Sequence, residues 1–350
     1  MKQRVLIAMS GGIDSSVAAM LLLEQGYELV GITFRTFDSI RESCLAKEKG
    51  CCSLESIMEA KHLAEQLGFE HHILDFRDTF RRHVIANFVD EYRHGRTPNP
   101  CVLCNSHIKW GELLRAADEY RCDYIATGHY ARIVQRDGHY FLRKAADTHK
   151  DQTYFLWMLT EQNLARTIFP LGELTKQQVR EIARQHGFEK LSRKTESQEI
   201  CFVPDNDYRT FLAAEGVNCA EGNYVDASGR VVGRHAGYTN YTIGQRKGLG
   251  IALGKPAFVT AIDADNNRVT LGSHDDLLTR EVWLQNPRFL GDATQPVYAQ
   301  IRYRSQPTEA QYAESKLLFR EPVWAVTPGQ SAVIYQDELL VGGGIIQATP

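Results

Sequence analysis

Short apolar runs alternate with amphipathic stretches through the first 130 or so residues of the chain. Arg4–Ala8 reads as a strand, Val17–Gln25 as an apolar helix closed by Gly26, Glu28–Phe34 as a second strand, and Leu54–Leu67 as a periodic helix closed by Gly68. His71–Phe76 predicts a third strand, Asp78–His94 a helix stopped by Gly95, and Asp123–Thr127 a further strand. Runs that are apolar throughout suit strands buried on both faces. Strands alternating with helices predict an α/β fold built on a doubly wound parallel sheet. The Asp137-Gly138 turn joins Tyr130–Gln135 to His139–Lys144 as a hairpin near the sheet's edge. Helical patterns return at Thr175–His186, where Thr175 and Gln178 predict a capping box, and at Tyr208–Glu215.

From about Gly222 onward the helices stop, and short alternating strands are divided by Gly, Asn-Asn, Asp-Asp and Pro turns. A second β stretch begins near Asn286-Pro287 and ends in VWAVTPGQSAVIY and LVGGGII. The expected division is therefore 1–204 as the α/β domain, 205–285 as a small β domain and 286–350 as a β-barrel. At 350 residues, with 43% hydrophobic and 24% charged residues, the chain is long enough for two or three cores and is globular in composition. The net charge of -3 excludes a globally basic nucleic-acid binder, so any RNA footprint is a local patch. No window approaches a membrane span, and the opening MKQRVLIAMSGG is not a signal peptide, so a cytoplasmic location is expected. The eight cysteines are then reduced thiols for catalysis, redox work or metal.

Ser10-Gly11-Gly12-Ile13-Asp14-Ser15-Ser16 lies between the first strand and the first helix, where backbone N–H groups and the helix dipole converge on an anion. The glycines let the backbone approach, the three serine hydroxyls add donors, and Asp14 can hold a magnesium ion between phosphate oxygens. The loop lacks the lysine of a GxxxxGK[ST] P-loop, which disfavours simple γ-phosphate transfer. SGGIDSS resembles the PP-loop of ATP pyrophosphatases. That resemblance implies cleavage of ATP to AMP and pyrophosphate while a carbonyl oxygen is adenylated.

Cys101 and Cys104 lie in GRTPNPCVLCNSHIKWGELL, where Pro98 and Pro100 predict an extended loop and a helix beginning near Ser106. Cys104 is then close to a helix N-terminus, which favours its thiolate. Cys201 lies in TESQEICFVPD, a second segment that could converge on the first. A zinc or iron–sulfur site drawing on Cys44, Cys51, Cys52, Cys101 and Cys104 is the competing reading. Cys122 and Cys219 read as core or surface residues.

GRTPNPCVLCN, ATGHYAR, KDQTYFL, SQEICF, TIGQRKGLG, RYR and VTPGQSAV together resemble the bacterial tRNA-specific 2-thiouridylase family (MnmA) from one end of the chain to the other. The resemblance implies that an adenylated wobble uridine of certain tRNAs, those for lysine, glutamate and glutamine, receives sulfur at C2 from a cysteine persulfide. Cys201 would bear the persulfide, charged by an upstream sulfur-donor protein. Cys104 would attack that persulfide or close a disulfide with Cys201. Some family members place an aspartate where this chain has Cys101, so that residue's general acid or base role does not transfer.

By the same resemblance Ala8, Met9, Ser10, Gly11, Gly12, Ile13, Asp14 and Ser15 surround ATP together with Phe34 and Gly128. Asn99, Pro100 and Cys101 would contact the target base, and Lys150, Asp151, Gln152, Arg302 and Tyr303 the tRNA, with the RYR run read as a strand. His129 in TGHY is either core-packed or near phosphate. Two other readings stay open: another PP-loop adenylating ligase, and a metal- or Fe–S-binding RNA protein.

Overall fold

The computed structural model describes residues 2–37, 54–194, 200–203, 206–217, 219–291 and 296–348. Two compact units divide the chain. The first holds Met1–Val84, Cys101–Asn206 and Glu338–Leu340, and the second holds Ile85–Pro100, Asp207–Asp337 and Val341–Pro350.

In the first unit, β1 (Arg4–Ala8), α1 (Ile13–Glu24), β2 (Glu28–Arg35), α2 (Leu54–Leu67) and β3 (Glu70–Asp75) alternate as expected. The chain then forms α3 (Arg77–Phe80), a wider π-helical turn at Arg81–Ile85 and α4 (Ala86–Arg93). The single helix expected over Asp78–His94 is thus interrupted, and the division between units falls inside it, after Val84. A second helical run comprises α5 (Pro100–Leu103), a π-helical stretch Cys104–Glu112 and α6 (Leu113–Glu119). It is followed by β4 (Tyr124–Ala126), the hairpin β5 (Arg132–Arg136) and β6 (His139–Arg143), α7 (Glu161–Ala165), β7 (Thr167–Ile168), α8 (Lys176–Gln185) and α9 (Glu189–Ser192).

The sheet order is β3-β2-β1-β4-β7, and each of these pairs is parallel. Val5 and Ile7 of β1, Val17 and Ala18 of α1, and Val179 and Ala183 of α8 share one apolar core with Leu63 of α2. Burial of such side chains stabilises by about 1.5–3 kcal/mol each. The order reverses between β1 and β4, which opens a crevice at their carboxyl ends.

The second unit contains α10 (Tyr208–Ala214) and the strands β8 (Gly222–Val225), β9 (Val231–His235), β10 (Phe258–Asp263) and β11 (Arg268–Gly272). These strands form a sheet of order β10-β11-β8-β9 around Tyr224, Val259 and Val269. The remaining strands are β12 (Leu278–Phe289), β13 (Val297–Gln300), β14 (Thr308–Ala313), β15 (Lys316–Trp324), β16 (Ser331–Gln336) and β17 (Leu339–Ile346). Their order is β12-β15-β14-β13-β16-β17, and β12 also pairs with β17, closing a six-stranded barrel. Asn286 and Pro287 sit within β12, where the register shifts between Gln285 and Arg288; the strand itself begins at Leu278. Arg302 and Tyr303 lie in the turn after β13 and not in a strand, because Arg304 adopts a left-handed backbone (φ 69°).

Candidate functional site

Strand β1 ends at Ala8 and α1 starts at Ile13, so Met9–Gly12 crosses the crevice at the carboxyl edge of the sheet. Met9 is buried and held on both sides. Its N–H donates to the Ile32 carbonyl at 2.8 Å, and its carbonyl accepts from Thr33 Oγ1 at 2.8 Å. Thr33 in turn lies 2.8 Å from His71 Nε2, which must carry the proton because the threonine hydroxyl is already donating. Gly11 has φ +67°, and a Cβ there would meet the Ser56 carbonyl oxygen at 2.3 Å, so only glycine fits. The Ser15 and Ser16 hydroxyls donate to the Gly12 carbonyl at 3.2 and 2.9 Å, and Ser10 N–H donates to Ser15 Oγ at 3.2 Å. Among the described residues no side chain caps α1, so its first N–H groups retain their anion-binding character.

Gly128 follows β4 and abuts the start of α1, where its Cβ would lie 2.6 Å from Ser15 N and 2.7 Å from the Asp14 carbonyl carbon. Phe34, near the end of β2, is half-buried and meets Phe76 edge-on at 5.3 Å between ring centroids. Two further residues converge on Asp14. Tyr130 OH donates to Oδ1 at 2.8 Å, and Lys176 Nζ lies 2.7 and 2.9 Å from Oδ1 and Oδ2. Sequence reasoning missed both. The capping box at Thr175 and Gln178 marks Lys176 as the first residue of α8, but nothing local links it to a carboxylate 162 positions away.

The cysteine loop differs from expectation. Pro100 opens a helix where a proline costs no hydrogen bond, so Cys101 occupies the first turn and Cys104 lies one turn further in, not just ahead of a helix at Ser106. Cys104 is half-buried, while Cys101 and Cys201 are exposed. Although Cys101 is exposed by area, dense protein around its sulfur raises the thiol's pKa by desolvation, an effect the Lys109 charge only partly offsets. The two cysteine segments meet on α3. Phe202, next to Cys201, packs on Phe80 with centroids 5.6 Å apart, and α3 also packs on the π-helical stretch Cys104–Glu112. His129 is buried, hydrogen-bonded at 2.7 Å to Thr127 and held neutral by burial, with Lys109 Nζ 3.4 Å from its Nε2.

Cys44, Cys51 and Cys52 lie outside the described residues. Among the described residues no group of three or more His, Cys, Asp or Glu side chains is placed to hold a metal ion.

Of the KDQ segment, Asp151 and Gln152 turn their polar groups onto their own unit. Asp151 accepts from Ala145 N–H at 2.8 Å and Thr153 Oγ1 at 2.7 Å, and Gln152 Oε1 accepts from Tyr130 N–H at 2.9 Å. Burial raises the Asp151 carboxyl's pKa against those hydrogen bonds. Lys150 is half-buried at the neighbouring turn, its N–H bonded to the Asp147 carbonyl. In the second unit Arg302 donates to the Ile243 carbonyl at 2.8 Å and to Thr327 Oγ1, beside half-buried Tyr303. There too the Gln330 amide braces the stretch before Asn99 and Pro100, donating to the Thr97 and Pro98 carbonyls at 2.8 and 3.1 Å.

A glycine-serine loop at the switch point of a 3-2-1-4-type parallel sheet defines a nucleotide-binding α/β protein, here continued into two β modules. The models described as "tRNA methyl transferase HUP domain", "tRNA methyl transferase PRC-barrel domain" and "Aminomethyltransferase beta-barrel domain" match residues 3–205, 209–273 and 278–346. The chain belongs to the tRNA-specific 2-thiouridylase (MnmA) family. It is 49% identical over 362 residues to the tRNA-specific 2-thiouridylase MnmA of Amoebophilus asiaticus, covering 99% of this chain and 96% of that protein. The proteins of the same name from Cytophaga hutchinsonii and Carboxydothermus hydrogenoformans are 48% and 47% identical, each over 99% of this chain and 98% of its own length.

Proposed function

We propose that this protein is an ATP-dependent tRNA 2-thiouridylase, adenylating the C2 carbonyl oxygen of a wobble uridine and replacing that oxygen with sulfur from a persulfide on Cys201. The observation that carries the reading is the convergence of Gly11, Asp14, Ser15 and Gly128 at the sheet's switch point, in the same unit as the two cysteine segments on α3.

Each part of the chemistry has a candidate group. The N–H groups of the uncapped first turn of α1 and the Ser10 hydroxyl bind phosphate oxygens. The Ser15 and Ser16 hydroxyls brace the loop through the Gly12 carbonyl, and Phe34 supplies an apolar wall for the adenine. The C2 carbonyl becomes a usable electrophile once its oxygen is part of an AMP leaving group. The Cys104 thiolate attacks the inner sulfur of the Cys201 persulfide, forming a Cys104–Cys201 disulfide and releasing hydrosulfide, which adds at C2 and expels AMP. Cys101, its pKa raised by desolvation, is a thiol and a weak nucleophile at neutral pH.

Magnesium is held by one or two carboxylates plus phosphates and water, and the Asp14 carboxylate, paired with Lys176 in this structure, suits it once that ammonium moves away. Asp14 is the residue that would hold it, and the ion would neutralise phosphate charge there. Asn99, Pro100 and Cys101 face the target base in this reading, and Lys150, Arg302 and Tyr303 meet the tRNA, while Asp151 and Gln152 hold the loop that presents Lys150. Lysine, glutamate and glutamine tRNAs are the expected acceptors, a separate protein supplies the sulfur, and the setting is the cytoplasm. No described helix is long and apolar enough to cross a membrane.

The test is reconstitution with unmodified tRNA, MgATP and a persulfide donor, followed by nucleoside mass spectrometry. Wild type is expected to form 2-thiouridine. Cys104→Ser and Cys201→Ser are expected to lower it at least a hundredfold while pyrophosphate release persists. Full thiolation by Cys201→Ser would sink the mechanism.

A further inference from the structure

The phosphate loop contains hydroxyls, glycines and one carboxylate, but no cation. The fold brings two to it: Lys194 Nζ donates to the Gly11 carbonyl at 3.1 Å while paired with Glu59, and of the two only Lys176 reaches the loop's carboxylate, Asp14. The reciprocal capping box of Thr175 and Gln178 fixes the start of α8, and the Lys176 N–H donates to Asp147 Oδ2 at 2.9 Å. Helix α8 packs along α1, with Val179 and Ala183 in the same apolar core as Val17 and Ala18. From that anchored position the Lys176 side chain, 11% exposed, carries its ammonium onto both oxygens of Asp14. The Tyr130 ring lies 5.9 Å from the ammonium, and the Tyr130 hydroxyl bonds the same carboxylate.

Lysines are almost never this buried without a reason, and the contact between α1 and α8 is already supplied by apolar residues. Asp14 is the second residue of α1, so the ammonium stands beside the backbone donors of the loop. A carboxylate alone in that place would repel a polyphosphate. An ammonium with three donors on a flexible stem can leave one carboxylate for a group with several negative charges.

Building on the nucleotide reading above, we propose that Lys176 is a phosphate-binding residue of the nucleotide site, held by Asp14 until the polyphosphate of a nucleoside triphosphate takes it over. Lys176 supplies from α8 the positive charge that a P-loop carries within its own sequence. Recognition is of the phosphates, so adenosine is bound without its help.

Equilibrium binding of MgATP and of adenosine tests this. Lys176→Gln is expected to weaken MgATP binding about tenfold to a hundredfold, the range for hydrogen bonds to charged groups, and to change adenosine binding less than twofold. Lys176→Met keeps the apolar stem and carries the same expectation should the glutamine variant fold poorly. The double variant Asp14→Asn/Lys176→Gln separates a phosphate contact from simple screening of Asp14. If Lys176 touches phosphate, the double variant binds MgATP at least tenfold more weakly than Asp14→Asn alone. Equal binding by those two variants would overturn the proposal, as would wild-type MgATP affinity in Lys176→Gln. A wild-type protein that bound no MgATP would instead remove the nucleotide reading on which the proposal rests.

Discussion

Replacing Gly128 with alanine probes the apposition on which the nucleotide site depends. The added Cβ would stand 2.6 Å from Ser15 N, 2.7 Å from the Asp14 carbonyl carbon and 3.0 Å from Ser15 Cα, all backbone atoms of the first turn of α1. Ordinary contact begins at 3.4 Å, so one backbone or the other must withdraw by roughly 0.8 Å, and overpacking of this kind costs about 1–3 kcal/mol. For a unit of some 200 residues that lowers the melting temperature by about 2–4 °C per kcal/mol. The same withdrawal moves the N–H donors of α1 relative to Asp14 and Lys176, so the MgATP-induced rise in melting temperature should shrink as well. Gly111→Ala is the control, because among the described residues its Cβ would meet the Ser106 carbonyl oxygen at an ordinary 3.5 Å and alanine favours a helix. Thermal unfolding with and without MgATP, together with pyrophosphate release, reads the outcome. A Gly128→Ala protein with both melting temperature and MgATP shift of the wild type would refute the reasoning.

Two more predictions follow from protonation. Cys101, its pKa raised by desolvation, stays a thiol at neutral pH, so iodoacetamide at pH 7 should alkylate exposed Cys201 well ahead of it; mass spectrometry showing mainly modified Cys101 would contradict this. His71 is lowered to about 4, chiefly by burial, with a smaller effect from His72, and its buried Nδ1 has no partner among the described residues. The unfolded chain takes up that proton near pH 6.5 and the folded one only near pH 4. Stability should therefore fall between those values by up to about 3 kcal/mol, with no further loss from this group below them. His71→Gln should flatten that part of the pH–stability curve, and an unchanged slope would mean that His71 is not its source.

The strand, the glycine-serine loop and the helix after it were legible in the sequence because each is a local pattern: an apolar run, residues that permit close backbone approach, and helical periodicity. The same holds for Thr175 and Gln178, whose capping box spans only one turn. Less was readable where packing overrides local preference. Asp78–His94 carries a helical pattern throughout, yet π-helical turns interrupt it at Arg81–Ile85. Pro98 and Pro100 favour an extended loop, but Pro100 instead opens a helix and so moves Cys101 and Cys104 into it. Thr167–Ile168 is too short to show a period and is a strand only because β4 lies beside it.

By itself the sequence determined the class of fold, the anion-binding loop and the thiols available for sulfur chemistry, because side-chain type and short-range spacing settle those. Only the tertiary structure decided which distant groups meet. Lys176 and Tyr130 reach Asp14, and Gly128 closes on Ser15, because the sheet order places β4 beside β1 and α8 packs along α1. Charge pairing and close packing act over a few ångströms of space however many residues of chain intervene, and that distance is not written in the order of the residues.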